Sequence, residues 1–282
     1  MIRLFAKVFI ILLLMFYSNS GFAQNQDSIY LKSVLTKAAS LRFNNPDSSL
    51  ILLHSNAKLF ANTPHKNLKG EFEYWKSLSH YIKGDYDSSL YYNSKAEKWF
   101  SEAENMLGKV RVLNNFGLIY SVWKEYRLAL THFNRATEIF KTMDNKDQLF
   151  YVTFNTSIVY NDLAKYDSAL INFSEALQIA EQYNFKLSVF RAKTMLAETH
   201  VFLNEGVKAL NYLNKINLED KEIGDWDRGF TYGVLAKAQS QLNNHNDAIQ
   251  SALSGIEIQK RLNAKWELFR LYQIIAQEYE KT

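Results

Sequence analysis

From about residue 30 onward, apolar and polar positions recur at helical spacing, and the pattern itself repeats. The phrase PDSSL stands at 46–50, YDSSL at 86–90 and YDSAL at 166–170, at multiples of forty residues. Related segments start at 126, 206 and 246, the last one residue early, since Ala248 lies 39 after Ala209. Stacking them gives a column of small residues: Ser49, Ser89, Ala129, Ala169, Ala209 and Ala248. Four positions later stand Leu53, Asn93, Phe133, Phe173, Leu213 and Ala252, and three further on Asn56, Ala96, Ala136, Ala176, Ile216 and Gly255. Steps of four and three place these positions on one helix face. Small residues there admit a neighbouring helix closely, and the large apolar residue fills the space beside it. Fixed-period similarity of this kind is the mark of a repeat architecture.

A second amphipathic segment precedes each of these helices, at 71–86, 110–126, 151–166 and 190–205. Each unit therefore reads helix, short turn, helix. Lys83-Gly84-Asp85-Tyr86 shows the turn best, with a glycine to end one helix and an aspartate to cap the next. In YDSSL itself, Asp and Ser are expected to accept hydrogen bonds from the free N–H groups of the helix start. Two prolines and ten glycines in 282 residues are few breakers, which agrees with a helical chain.

The columns resemble the tetratricopeptide repeat (TPR) family. Leu113, Phe116-Gly117, Tyr120, Tyr126, Ala129, Phe133 and Ala136 match its pattern in the third repeat. Ile158 beside Ser157, Tyr160, Tyr166, Ala169, Phe173 and Ala176 match in the fourth. The first, fifth and sixth repeats are degenerate and are carried by the register. The resemblance covers about 30–282 and implies an all-α, right-handed α-solenoid of six helix-turn-helix repeats plus a C-terminal half repeat. Two features depart from the family. The period is forty where the usual repeat has 34. The proline that closes the second helix is also missing, its slot holding Ala61, Ser101, Lys141, Glu181, Lys221 and Lys260. With no proline to stop it, the second helix is expected to run on by about one and a half turns.

Residues 266–282 read as a seventh first helix, with Ala276 and Tyr279 in register with Ala236 and Gln239. It serves either as a solvating cap or as the start of a longer chain. At the other end, Arg3 and Lys7 precede an apolar run from Val8 to Tyr17 and small residues at Gly21 and Ala23. This is the pattern of a secretory signal peptide, 1–23, cleaved after Ala23. The run is half what a spanning helix needs, so an exported, periplasmic or secreted chain is expected, with 24–282 forming the solenoid and making no membrane contact unless the signal segment is retained. Removal of Arg3 and Lys7 lowers the formal charge of +4 to about +2. Lysines and acids are interleaved, with no basic block for nucleic acid.

Chemistry is sparse. The chain has no cysteine, which removes disulfides, thiolate metal sites and cysteine catalysis. His54, His65, His80, His132, His200 and His245 offer no metal-ligand spacing, and phosphate-binding and nucleophile-elbow motifs are absent. His80 and His200 share the column of Tyr120 and Tyr160 and read as packing residues. No metal, cofactor or catalytic residue is expected, and the carboxylate pair Glu219-Asp220 reads as solvated loop.

The resemblance implies a partner instead. In TPR geometry the first helices line a concave groove. Mapped slot by slot, the groove residues are Tyr74, Trp75, Leu78 and Tyr81 in the second repeat and Arg111, Asn114, Asn115 and Leu118 in the third. Tyr151, Phe154, Asn155, Ile158, Asn161 and Asp162 follow in the fourth, then Arg191, Thr194, Met195 and Glu198 in the fifth. Asn115 and Asn155 share a slot, and an amide can both donate to and accept from a peptide backbone. Arg111 and Arg191 could grip a carboxylate through two parallel bonds. The expected function is an exported, non-catalytic scaffold that binds a protein or peptide. The alternative is the extracytoplasmic sensor region of a longer signal-transduction protein, a histidine kinase or transcriptional regulator.

Overall fold

The computed structural model describes residues 27–42, 45–262 and 264–281. The signal-peptide segment lies outside the described residues. The chain divides between Glu125 and Tyr126 into two compact units. The first holds α1 (27–41), α2 (Pro46–Ser55), α3 (Ala57–Asn62), α4 (Lys66–Ile82), α5 (Tyr86–Glu102) and α6 (Met106–Val122). The second holds α7 (Tyr126–Thr142), α8 (Lys146–Asp162), α9 (Tyr166–Gln182), α10 (Lys186–Phe202) and α11 (Gly206–Leu213), then α12 (Asp225–Gln241), α13 (His245–Arg261) and α14 (Lys265–Tyr279). There is no strand among the described residues, and no helix there is long and apolar enough to cross a membrane.

The period of forty has a simple origin. Helices α4 to α10 are each 17 residues long, as are α12 and α13, and three-residue linkers join most of them. The second helices continue through the empty proline slot, as at Ser101, Lys141, Glu181 and Lys260. The first helices are equally long, so the extension is not confined to the second. Each linker works in the same way. Its first residue ends the helix, its middle residue turns left-handed, and its third opens the next helix. Gly84 (φ 80°), Glu104, Lys124, Asp144, Ala164, Asn184, Asn204 and Asn243 all hold positive φ, mostly twenty residues apart. In the fourth repeat the Ala164 N–H donates to Asn161 O and the Lys165 N–H to Tyr160 O, at 2.9 and 2.8 Å. This pair of bonds satisfies the last helical carbonyls.

The helix starts follow the expectation for the turn at Asp85 and differ from it only within YDSSL. The residue that caps α5 is Asp85, whose carboxylate accepts from the Ser88 N–H; Asp87 of YDSSL sits in the first turn, where it faces the positive helix end. Asn45, Asn105 and Asn145 cap α2, α6 and α8 in the same way.

The columns pack as their spacing requires. All six members of the small column, Ser49 to Ala248, are fully buried, as are Phe133, Phe173, Ala96, Ala136 and Ala176. Two repeats break the rule. In the first, the second helix is interrupted at Asn56, whose amide donates to Leu52 O and accepts from the Tyr30 hydroxyl. In the fifth, α11 stops after eight residues, so Lys221 stands in a loop and not in a helix. Arg228 ties that loop down, donating to the carbonyls of Leu218, Asp220 and Ile223 and to the Asp225 carboxylate.

Candidate functional site along the first helices

In the second unit α8 touches α10, α10 touches α12 and α12 touches α14, whereas successive second helices make no comparable contact. The first-helix row is therefore the tighter, inner side of that unit. In the first unit α4 touches α6 likewise. The slot opened by Glu71 in α4 recurs as Arg111, Tyr151, Arg191, Phe230 and Arg270, so the arginines lie eighty and then seventy-nine residues apart.

Each of these arginines is held. Arg111 donates to Glu71 at 2.7 Å and its guanidinium lies 4.2 Å from the Tyr74 ring centre and 5.2 Å from that of Trp75. Arg42 lies over Trp75 at 5.0 Å, so the indole has two guanidinium groups near its ring. In the second unit Arg191 grips both oxygens of Asp227, at 2.7 and 2.9 Å. Arg270 reaches back from α14 to Glu198 of α10 at 3.3 Å, binds Glu267 of its own helix at 3.1 Å and lies 5.4 Å from the Phe230 ring.

The electrostatics of this cluster follow from burial. Burial pushes the Glu198 carboxyl up, with Arg270 and Lys237 pulling it back. Burial also pushes the Lys237 ammonium down, and Arg270 adds to that while the two glutamates oppose it. Glu198 and Lys237 occupy the slot that holds Leu78, Leu118 and Ile158 in earlier repeats. The inner face of the second unit thus changes from apolar at α8 to charged at α10, α12 and α14.

Several residues expected in the groove are not available to a ligand. Asn115 is fully buried, and its amide N–H₂ donates to Ser77 Oγ at 2.8 Å and Asn93 Oδ1 at 3.0 Å. Asn93 in turn donates to Val112 O, so these groups fasten α4, α5 and α6 together. Tyr74 is 6% exposed and belongs to the core with Ala96, Phe100, Val112 and Phe116. Asn161 is buried and exchanges hydrogen bonds with the Thr199 hydroxyl. These three serve packing between helices: the amide N–H groups of Asn115 and Asn161 are spent on the adjacent elements, and the Tyr74 ring fills the core. Tyr81 is half-buried against Tyr86, and burial pushes its hydroxyl up to about 12. Trp75, Arg111, Asn114, Tyr151, Asn155 and Arg191 are partly buried, as Tyr81 is.

Sequence reasoning missed Asp227, Phe230, Lys237 and Arg270. The eighty-residue interval from Arg111 to Arg191 points to Arg270 once the one-residue slip before Ala248 is applied. His80 and His200 behave as packing residues. Each stacks on a tyrosine of the second helix, Tyr92 or Tyr212, and bonds the acid that closes its linker, Asp85 or Glu205. Among the described residues no group of His, Asp or Glu is placed to hold a metal.

Solved structures share this architecture. The complex of NprR with its cognate peptide NprX superposes with a TM-score of 0.67 at 19% identity, over 89% of this chain and 73% of that one. The chain has a TPR-type fold. The Rap conjugation regulator of plasmid pLS20 bound to the Phr* peptide gives 0.62 at 16% identity, over 88% of this chain and 83% of that one. Aspartyl phosphate phosphatase F from Bacillus subtilis gives 0.61 at 16%, over 89% and 72%. No family model and no curated protein sequence matches the chain. The likeness is one of fold: an all-α solenoid of TPR-type helix pairs.

Proposed function

We propose that this chain is an exported, non-catalytic scaffold whose first-helix face binds a peptide or an extended protein segment. The observation that carries the reading is the inner face of the second unit. Tyr151, Arg191, Phe230 and Arg270 occupy one slot in four successive first helices, and each arginine is fixed by an acid. Partly exposed rings alternating with oriented guanidinium groups suit a peptide that offers both apolar and polar side chains. Two structures of the same fold are peptide complexes, NprR with NprX and the pLS20 regulator with Phr*, which supports the reading by analogy of fold. The leader-like pattern of residues 1–23 supports export.

The test is to pan a random peptide display library on the purified chain and measure the enriched peptides by calorimetry. Tyr151→Ser should weaken them by about tenfold, a loss of 1.4 kcal/mol. Ile171→Ser, at a position 69% exposed on α9, should leave them unchanged. Enrichment of nothing saturable, or equal sensitivity to both substitutions, would overturn the proposal.

A further inference from the structure

We propose that Lys237 and Arg270 form a seat for a carboxylate of the bound segment, and that Glu198 is the protein's own occupant of that seat, displaced when the ligand arrives. This rests on the peptide-binding reading above and adds the group that the segment must carry. The seat lies on the inner side of α12, which touches α10 on one flank and α14 on the other. Helices on both sides therefore decide what it leaves open.

Two arginine–acid pairs on this face differ in quality. Arg191 of α10 holds Asp227 of α12 through two hydrogen bonds, of 2.7 and 2.9 Å. Glu198 is as deeply buried as Asp227, at 8% against 7% exposure. Yet among the described residues it accepts a single hydrogen bond, from Arg270 Nη2 at 3.3 Å. A buried carboxylate needs several donors to offset its lost hydration. Burial accordingly pushes the Glu198 carboxyl up, against the pull of Arg270 and Lys237. Packing does not call for an acid in this slot, which holds Leu78, Leu118 and Ile158 in earlier first helices.

The cations have the opposite need. Lys237, in the same slot one repeat on, is partly buried and forms no hydrogen bond or ion pair among the described residues. Burial pushes its ammonium down, and the nearby Arg270 charge adds to that. Arg270 lies against Phe230 of α12, spends one edge on Glu267 at 3.1 Å and reaches across α12 to Glu198. Glu198 thus hydrogen-bonds one of the two cations and leaves the other unpaired. A carboxylate arriving from solvent brings two oxygens, one for each, and balances the charge between them. Glu198, whose charged form burial disfavours, is the weaker contender for Arg270.

The probe is a random library of synthetic peptides with free C termini, captured on parent, Glu198→Gln and Lys237→Met proteins and read by mass spectrometry. Peptides held by the parent should share a carboxylate at one position, and converting it to an amide should weaken them about tenfold in calorimetry. Glu198→Gln removes the competing charge at nearly constant volume. It should tighten the acidic peptides by about tenfold and leave their amide forms unchanged. Lys237→Met should erase the difference between the two forms, and Lys237→Arg, which keeps the charge, should retain it. Amidating the C terminus and neutralising acidic side chains one at a time tell a terminal carboxylate from a side-chain one. Glu198→Gln decides alone if circular dichroism finds Lys237→Met unfolded. Capture without preference for an acid, or a preference that Glu198→Gln leaves unmoved, would overturn this proposal by itself. Capture of nothing by any form would overturn the peptide-binding reading along with it.

Discussion

Replacing Ala164 by glycine should stabilise the second unit. Ala164 is the middle residue of the α8–α9 linker, holds φ at 54° and is exposed. An L-residue with a Cβ loses about 1–2 kcal/mol in this conformation. Glycine loses nothing there, but it gives the unfolded chain about 0.4–1 kcal/mol of extra freedom. The difference favours Ala164→Gly by about 1 kcal/mol. The side chain removed is one exposed methyl, so little packing is lost. For a unit of this size, that free energy raises the melting temperature by about 2–4 °C. Two controls sharpen the test. Asn204→Gly, at φ 59°, should gain less, because asparagine tolerates the left-handed region. Gly84→Ala, at φ 80° with the Tyr86 hydroxyl 3.9 Å from its Cβ, should by the same balance lose about 1 kcal/mol in the first unit. Urea unfolding followed by circular dichroism reads all three. If Ala164→Gly is neutral or harmful while Gly84→Ala is tolerated, the linkers do not end their helices in this way and the account of the forty-residue period fails.

Two further substitutions probe packing and charge. Gly108→Ala would put a Cβ 2.4 Å from the fully buried Phe100 ring; it should lower stability by about 2 kcal/mol, and adding Phe100→Leu should restore part of that in a urea melt. Glu278 is buried, which works against its charge, yet hydrogen bonds from Lys281, Ser240 and His245 hold its carboxyl down to about 2, from an ordinary 4.5. A depressed carboxylate stabilises the fold above its unfolded value and loses that contribution as pH falls toward the folded one. Glu278→Gln should therefore lower stability by about 2 kcal/mol at pH 7, and the gap to the parent should shrink between pH 4.5 and about 2 in thermal melts.

The legible part of this fold was its columns. A residue such as Ala169 or Phe173 reports its burial through local spacing alone, because the helices that cover it, α8 and α10, are its neighbours in sequence. The linkers were legible only at Lys83-Gly84-Asp85, where the residue types suit the geometry. Glu104, Lys124 and Ala164 adopt the same left-handed turn without any local preference for it. There the packing of two 17-residue helices decides, and sequence propensity is overridden. The site residues were harder for a related reason. Asn115 and Asn155 fill one slot in adjacent repeats, yet Asn115 is buried, because Ser77 and Asn93 stand within its reach. Whether an amide in that slot faces a ligand or a neighbour depends on side chains 38 and 22 residues away.

That dependence also bears on how such a chain can specialise. The helix lengths, the linkers and the small column are nearly constant, so they cannot distinguish one partner from another. The variation is concentrated in the slot of Glu71, Arg111, Tyr151, Arg191, Phe230 and Arg270, and in the slot that changes from Leu78 to Glu198 and Lys237. A guanidinium there is long enough to reach the next first helix, as Arg191 reaches Asp227 and Arg270 reaches Glu198. Once fixed by such an acid it loses little further freedom on meeting a ligand, so less of the binding energy is spent on ordering it. The acid also neutralises it, which disfavours indiscriminate capture of anions. A face built this way gains selectivity from geometry more than from net charge. Breaking one pair through its acid, as in Asp227→Asn, should then broaden the range of anionic peptides bound in the display experiment while leaving the fold intact.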